Sequence, residues 1–331
     1  MKRSILGSVL ACMAAVGLVS TESVAQASTA ETGTLVVVNK SESTASIIDI
    51  ASRRTVATLP TGAGPHEVTL SSDGRWAVVT DYAGGNSLTV IDVSIPAIAR
   101  TIDLSRYPRP HGIAFLPGDS LVAVTSEASE NVVFVHVARG EVVGTVSTGQ
   151  RGSHMLAVVG SGDVVYTSNG AGTVSELDVP RKARTRVMEV APQLEAITVT
   201  HDGTEVWVGS NSQGTVNVVN TSTGEITHAL PNFSWPYRIL ITPDNAMAII
   251  PDLRNHDIRF FDRATKRELA SVDLPGAGPQ GLTVGGNGRT LYLSLNRENR
   301  IAIMDLETKE ITGYIPTGSG PDGIVYSPIV H

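Results

Sequence analysis

Cysteine is almost missing from this chain of 331 residues: the single one, Cys12, lies in the N-terminal segment. A chain processed after it has no disulfide to rely on and must be held by packing alone. Aromatic residues make up only 5% and charged residues 17%. No stretch carries the 3.6-residue apolar period of a long amphipathic helix, which argues against a helical bundle. Long apolar runs are also missing but for one, Ile5 to Val19. It follows Lys2 and Arg3 and precedes the small-residue site Ala25-Gln26-Ala27. That order reads as a secretory signal over 1–27, too short and wrongly flanked for a permanent membrane helix, and it points to a periplasmic or secreted protein. Leu10-Ala11-Cys12 does not make a lipoprotein signal, because Met13 to Val19 continues apolar where a polar tether is needed.

What the chain has in abundance is apolar residues (41%) and glycine (32 residues), the composition of a β-rich, turn-rich globular protein. Removing Lys2, Arg3 and Glu22 with the signal leaves 23 basic and 31 acidic residues, a net charge of −8. An acidic balance of that size disfavours nucleic acid as a partner.

The segment from Gly62 to Asp81, GAGPHEVTLSSDGRWAVVTD, recurs throughout. The residue at the His66 position becomes His111, His154, Glu195, Tyr237, Gln280 and Asp322, at spacings of 41 to 45 residues. Seven residues on, the turn pairs Asp73-Gly74, Gly118-Asp119, Ser161-Gly162, Asp202-Gly203, Asp244-Asn245 and Asn287-Gly288 keep the same register. Each repeat offers four short alternating segments, for example 66–72, 75–81, 86–92 and 97–104. This predicts an all-β fold, a seven-bladed β-propeller with four strands per blade. The first strand, Thr34 to Lys40, and the last, Asp322 to Ser327, complete one blade together, which closes the ring without a free sheet edge. Residues 28–331 are expected to form this one domain, with no transmembrane segment.

Repeats such as GPHEVTLSSDGRWAVVTD followed by SLTVIDV, and APQLEAITVTHDGTEVWVGSN followed by TVNVVNTSTGEI, resemble the YVTN family of bacterial β-propellers, over residues 34–329. The resemblance implies the propeller fold. It implies no single activity, since such propellers include binding proteins, lactonases, lyases and haem-carrying oxidoreductases. It also implies that the first strand of each blade lines the central tunnel, with the loops leading into it on the face that binds ligands. His66, His111 and His154 then fall on one arc of the tunnel mouth. They are candidate ligands for a first-row metal such as zinc, copper or iron, with Glu195 as fourth ligand or general base; the bland alternative is histidines that hydrogen-bond neighbouring blades. Opposite them, Trp235 and Tyr237 would stack on a flat ligand while Arg238, with Arg109 and Arg151, holds an anionic group, or else these aromatics plug the tunnel. No GxSxG, HExxH or CxxCH motif is present, so covalent haem is excluded. Two functions stay open: binding of a small molecule or protein partner on the mouth face, or metal-dependent lyase, lactonase or oxidoreductase chemistry there.

Overall fold

Alternating β-branched residues between glycine-rich turns produce seven four-stranded antiparallel sheets in the computed structural model, which describes Met1 and residues 31–331. The expected signal segment over 1–27, Met1 apart, and with it Cys12, lies outside the described residues. Blade 2 is representative: Pro65–Leu70, Trp76–Asp81, Ser87–Asp92 and Ala97–Asp103, innermost strand first. Blades 3, 4, 5 and 7 begin with Pro110–Phe115, Ser153–Val158, Leu194–Val199 and Pro279–Val284. Blade 1 is composite: the C-terminal strand Pro321–Ser327 is innermost and pairs with Thr34–Asn39, followed by Thr44–Asp49 and Arg54–Pro60. The expected closure by the two ends of the chain is thus present. The only helical element among the described residues is a short turn of 3-10 helix, Asn296–Glu298, and no described helix is long and apolar enough to cross a membrane.

Second and third strands are buried on both faces, because each blade is sandwiched between two others. The core accordingly lies between blades. Val78, Leu88 and Val90 of blade 2 meet Val122, Val124, Val133 and Val135 of blade 3. Each such side chain contributes about 1.5–3 kcal/mol on burial. Trp207 behaves as an inter-blade residue, fully buried against Ala248, Ile250 and Phe261 of blade 6, with its Nε1 donating to Glu205 Oε2 at 3.0 Å. Outer strands alternate between exposed and half-buried residues, as in Arg54–Pro60, since one of their edges faces solvent.

The inner strands share an irregularity that positions everything functional. In blade 2 the ladder runs from Pro65 opposite Asp81 straight to Val68 opposite Val79, so His66 and Glu67 bulge out of register. Blades 3, 4, 5 and 7 show the same break at the same place, and blade 1 shows it across Asp322 and Gly323. A β-bulge frees two residues from the ladder and re-aims their side chains, here at the tunnel mouth. In blade 6 the strand is cut to Leu240–Ile241 plus an isolated bridge from Pro236 to Asp252; Pro236 has no N–H to give the ladder.

Glycine after the mouth residue lets adjacent inner strands approach. A Cβ at Gly112 would stand 2.7 Å from the Leu156 amide nitrogen, whereas one at Gly160, in a turn, would meet nothing within 4 Å. Gly112→Ala is therefore expected to cost about 1–3 kcal/mol by overpacking, and Gly160→Ala less than about 0.5 kcal/mol, measured by urea unfolding of the two variants beside the parent.

Candidate functional site

Six bulges and the cut inner strand of blade 6 place Asp322, His66, His111, His154, Glu195, Tyr237 and Gln280 around the tunnel mouth in blade order 1 to 7. Five consecutive positions thus read carboxylate, three imidazoles, carboxylate. The imidazoles form one tilted stack, with ring centroids 4.2 Å apart between His66 and His111 and 3.8 Å between His111 and His154. The different loop before His154, Gln150 to Ser153, does not displace its ring from the others. Tyr82, from the loop after the second strand of blade 2, presents its edge to His66 and His111 at 5.2 and 4.5 Å.

Buried hydroxyls hold this arc. The amide of Glu67, freed by its bulge, donates to Thr80 Oγ1 at 3.1 Å, and that hydroxyl donates to the His111 carbonyl of the next blade at 2.9 Å. Thr125 repeats the pattern from Gly112 N to the His154 carbonyl, at 2.8 and 2.5 Å, and Ser168 from Met155 N to the Glu195 carbonyl, at 3.2 and 2.5 Å. The equivalent residues of blades 5, 6 and 1 are Gly209, Pro251 and Val38, so those blades lack the tie; that of blade 7, Ser294, has an unpartnered hydroxyl.

The two ends of the stack differ electrically. At one end His66 Nδ1 lies 2.9 Å from Glu67 Oε1 and 3.3 Å from Asp322 Oδ2. Burial, reinforced by neighbouring His111, Lys40 and Arg238, nevertheless pulls its pKa well below the usual imidazole value, and burial beside His154 does the same to His111. At the other end His154 lies 3.6 Å from Glu127 Oε1 through Nδ1 and 3.6 Å from Glu195 Oε1 through Nε2. Burial opposes its charge, but the two carboxylates prevail and lift its pKa to about 9. Burial likewise opposes the charge of Glu127, and His154, Tyr82 and Arg109 prevail to bring it down to about 2. His154 is therefore an imidazolium at neutral pH, next to two neutral rings.

Tyr237 and Arg238 are buried and bridge across the tunnel in the manner of a plug. The Tyr237 hydroxyl donates to Asp322 at 3.1 Å, and the Arg238 guanidinium lies over the Tyr237 ring while pairing with Glu67 across the tunnel. Lys40 adds a contact to Asp322 at 3.4 Å. Below the plug the inner strands surround a second cavity of about 320 Å³ with side chains such as Val68, Met155, Ile197, Ile241 and Ile324. Arg109 sits above the stack, half exposed, 3.0 Å from Glu127 and over the Tyr82 ring. Arg151 is exposed at the rim, with no side-chain partner among the described residues.

Trp235 belongs to a different place, a cavity of about 280 Å³ on the mouth face over His154, whose walls include Glu127, Glu195, Asn211 and Arg254. The cavity exists because blade 4 has Gly170 where blades 2, 3 and 5 carry Tyr82, Glu127 and Asn211. Buried Asp252 sets its far wall: its carboxylate accepts from the amides of Ser234, Trp235, Arg254 and Asn255 at 2.6 to 3.0 Å. Arg254 then stacks on the Trp235 ring at 4.2 Å. Among the described residues, three buried polar atoms of residues lining this cavity have no hydrogen-bond partner: Trp235 Nε1, Asn211 Oδ1 and His154 Nε2, the last of which has Glu195 Oε1 no nearer than 3.6 Å.

Glu67 is the site residue that sequence reasoning passed over, although a signal existed. At the position after the mouth residue only Glu67 and Arg238 are charged, against Gly112, Met155, Ala196, Gly281 and Gly323.

No family model matches the chain, and no curated protein matches it. Solved structures do share the fold. Kuenenia stuttgartiensis hydrazine synthase is similar at 17% identity and a TM-score of 0.72, over 81% of this chain and 90% of that one. A functionally unknown protein from Desulfotomaculum acetoxidans DSM 771 is similar at 13% identity and a TM-score of 0.76, over 89% and 99%. The dihydro-heme d1 dehydrogenase NirN, in complex with DHE, is similar at 13% identity and a TM-score of 0.65, over 89% and 75%. At these identities the likeness concerns the β-propeller fold.

The charge on His154 makes a pH prediction. Its folded pKa is raised, so its contribution is complete below the unfolded value of about 6.5 and is lost as pH rises through about 9, on the order of 3 kcal/mol. Urea midpoints should fall between pH 7 and 9.5 in the parent protein and fall markedly less in His154→Gln.

Proposed function

We propose that this protein is a periplasmic or secreted binding propeller that holds a small hydroxyl-bearing molecule in the cavity over His154. The observation that carries this reading is a pair of buried polar atoms around one cavity, Trp235 Nε1 and Asn211 Oδ1, that have no partner among the described residues, since a buried polar atom without a partner costs about 1–3 kcal/mol. Their chemistry specifies the ligand. Trp235 Nε1 donates, Asn211 Oδ1 accepts, and Glu127 and Glu195 accept as well. A hydroxyl both donates and accepts, whereas a carboxylate ligand would face two carboxylates. The indole gives an apolar face suited to the C–H side of a sugar-sized ring, and the volume is near the lower limit of small-molecule sites. Secretion is supported by the charged start, apolar run and small-residue site of residues 1–27, and the repeats' resemblance to the YVTN propellers is consistent with that location.

A second reading, metal-dependent enzyme chemistry at the mouth, has its own support in the donor atoms near His66. The binding reading is tested by calorimetry against a panel of monosaccharides, polyols, hydroxy acids and amino acids. A polyol or monosaccharide is expected to bind, with affinity reduced about tenfold, or 1.4 kcal/mol, in Trp235→Phe and in Asn211→Ser. Absence of binding across the panel, or unchanged affinity in both variants, rejects the proposal.

A further inference from the structure

The mouth holds a second constellation, beside the ligand cavity and distinct from it. His66, Glu67 and His111 each offer a donor atom, all within 4.8 Å of one another, and all three residues are more than nine-tenths buried. His111 Nδ1 is buried without any partner. His66 uses only Nδ1 and Glu67 only Oε1 for contacts among the described side chains, which leaves His66 Nε2 and Glu67 Oε2 uncommitted. His154 is committed instead: its two ring nitrogens face Glu127 and Glu195.

We propose that His66, Glu67 and His111 form a binding site for a first-row transition-metal ion, zinc, copper or iron. Two imidazoles are borderline donors, and a set dominated by them, with one carboxylate, suits these ions better than magnesium or calcium. Tetrahedral zinc with bonds of about 2.0–2.1 Å needs donors about 3.3 Å apart, so the set must close by roughly 1.5 Å. Side-chain rotation supplies such a movement, because the bulge has already freed these residues from the ladder. Arg238 balances Glu67 through Oε1 when no ion is present, which keeps the buried carboxylate paired. The residues differ from the three-histidine set: Glu67 takes the place of His154, and Glu195 belongs to the neighbouring cavity. Three protein donors leave one coordination position for water or another small ligand.

The test uses the full mature protein without a polyhistidine tag, stripped with a chelator and titrated with Zn²⁺ by calorimetry and with Co²⁺ by visible absorption. One ion per chain is expected, with binding weakened about tenfold or more in His111→Ala and in Glu67→Gln, and changed by less than about threefold in His154→Gln. Glu67→Gln keeps the side-chain volume and an acceptor for Arg238, so it reports on ligation even where His111→Ala disturbs the fold, which circular dichroism monitors. Failure of the parent to bind either ion, or unchanged binding in Glu67→Gln, overturns the proposal. So does an equal loss in His154→Gln, which would return the site to the three histidines. Sugar or polyol binding is measured on metal-free protein, so the two readings stand or fall separately.

Discussion

The hydroxyls of Thr80, Thr125 and Ser168 each join a bulged amide of their own blade to the mouth carbonyl of the next, and the arrangement of the site depends on them. A bulge leaves an N–H without its ladder partner, and a buried amide cannot stay unpaired. One hydroxyl resolves that and at the same time fixes the spacing between neighbouring blades. Because the ties run only from blade 2 to blade 5, they lock the arc from His66 to Glu195 and no other part of the ring. The imidazole stack is therefore held through its backbone, while its ring nitrogens make contacts of their own: His66 with Glu67 and Asp322, and His154 with Glu127 and Glu195.

Charge is the second organising constraint. The mouth gathers Glu67, Glu127, Glu195 and Asp322 against Lys40, Arg109, Arg238 and protonated His154. Burying so many ions is costly unless each is matched, and the matching follows the geometry: Asp322 and Glu67 serve the plug, Glu127 and Glu195 serve His154. Two neutral imidazoles separate the two groups. The result is a nearly neutral mouth made of strong local fields, an environment in which a small polar ligand is oriented more than attracted.

Most of the architecture was legible in the sequence, and the reason is repetition. Seven copies of the mouth position, six of them followed by a turn in one register, state the blade count, and the incomplete copies at Thr34 and Asp322 state the closure. The same register put His66, His111, His154 and Glu195 on one arc. What stayed hidden was side-chain length and direction across the ring. Arg238 and Glu67 are 171 positions apart, and nothing local in either repeat says that they meet over the tunnel and turn Tyr237 into a plug. The cavity over His154 was hidden for a different reason: it arises from a side chain that is missing at Gly170, and an absence becomes visible only when the loop positions of all seven blades are aligned. Thr80, Thr125 and Ser168 looked like ordinary strand residues until the bulge gave their hydroxyls a task.

Blade 6 is where the sevenfold regularity fails. Its inner strand keeps two residues of regular pairing, and the loop that replaces the rest hangs from one buried carboxylate, that of Asp252. The Trp235 wall of the cavity is thereby held by contacts of its own, apart from the hydroxyl ties of the histidine arc. Substitutions between Asn232 and Trp235 reshape the wall of the cavity and spare the Tyr237–Asp322 and Arg238–Glu67 pairs, so long as Asp252 continues to hold the loop.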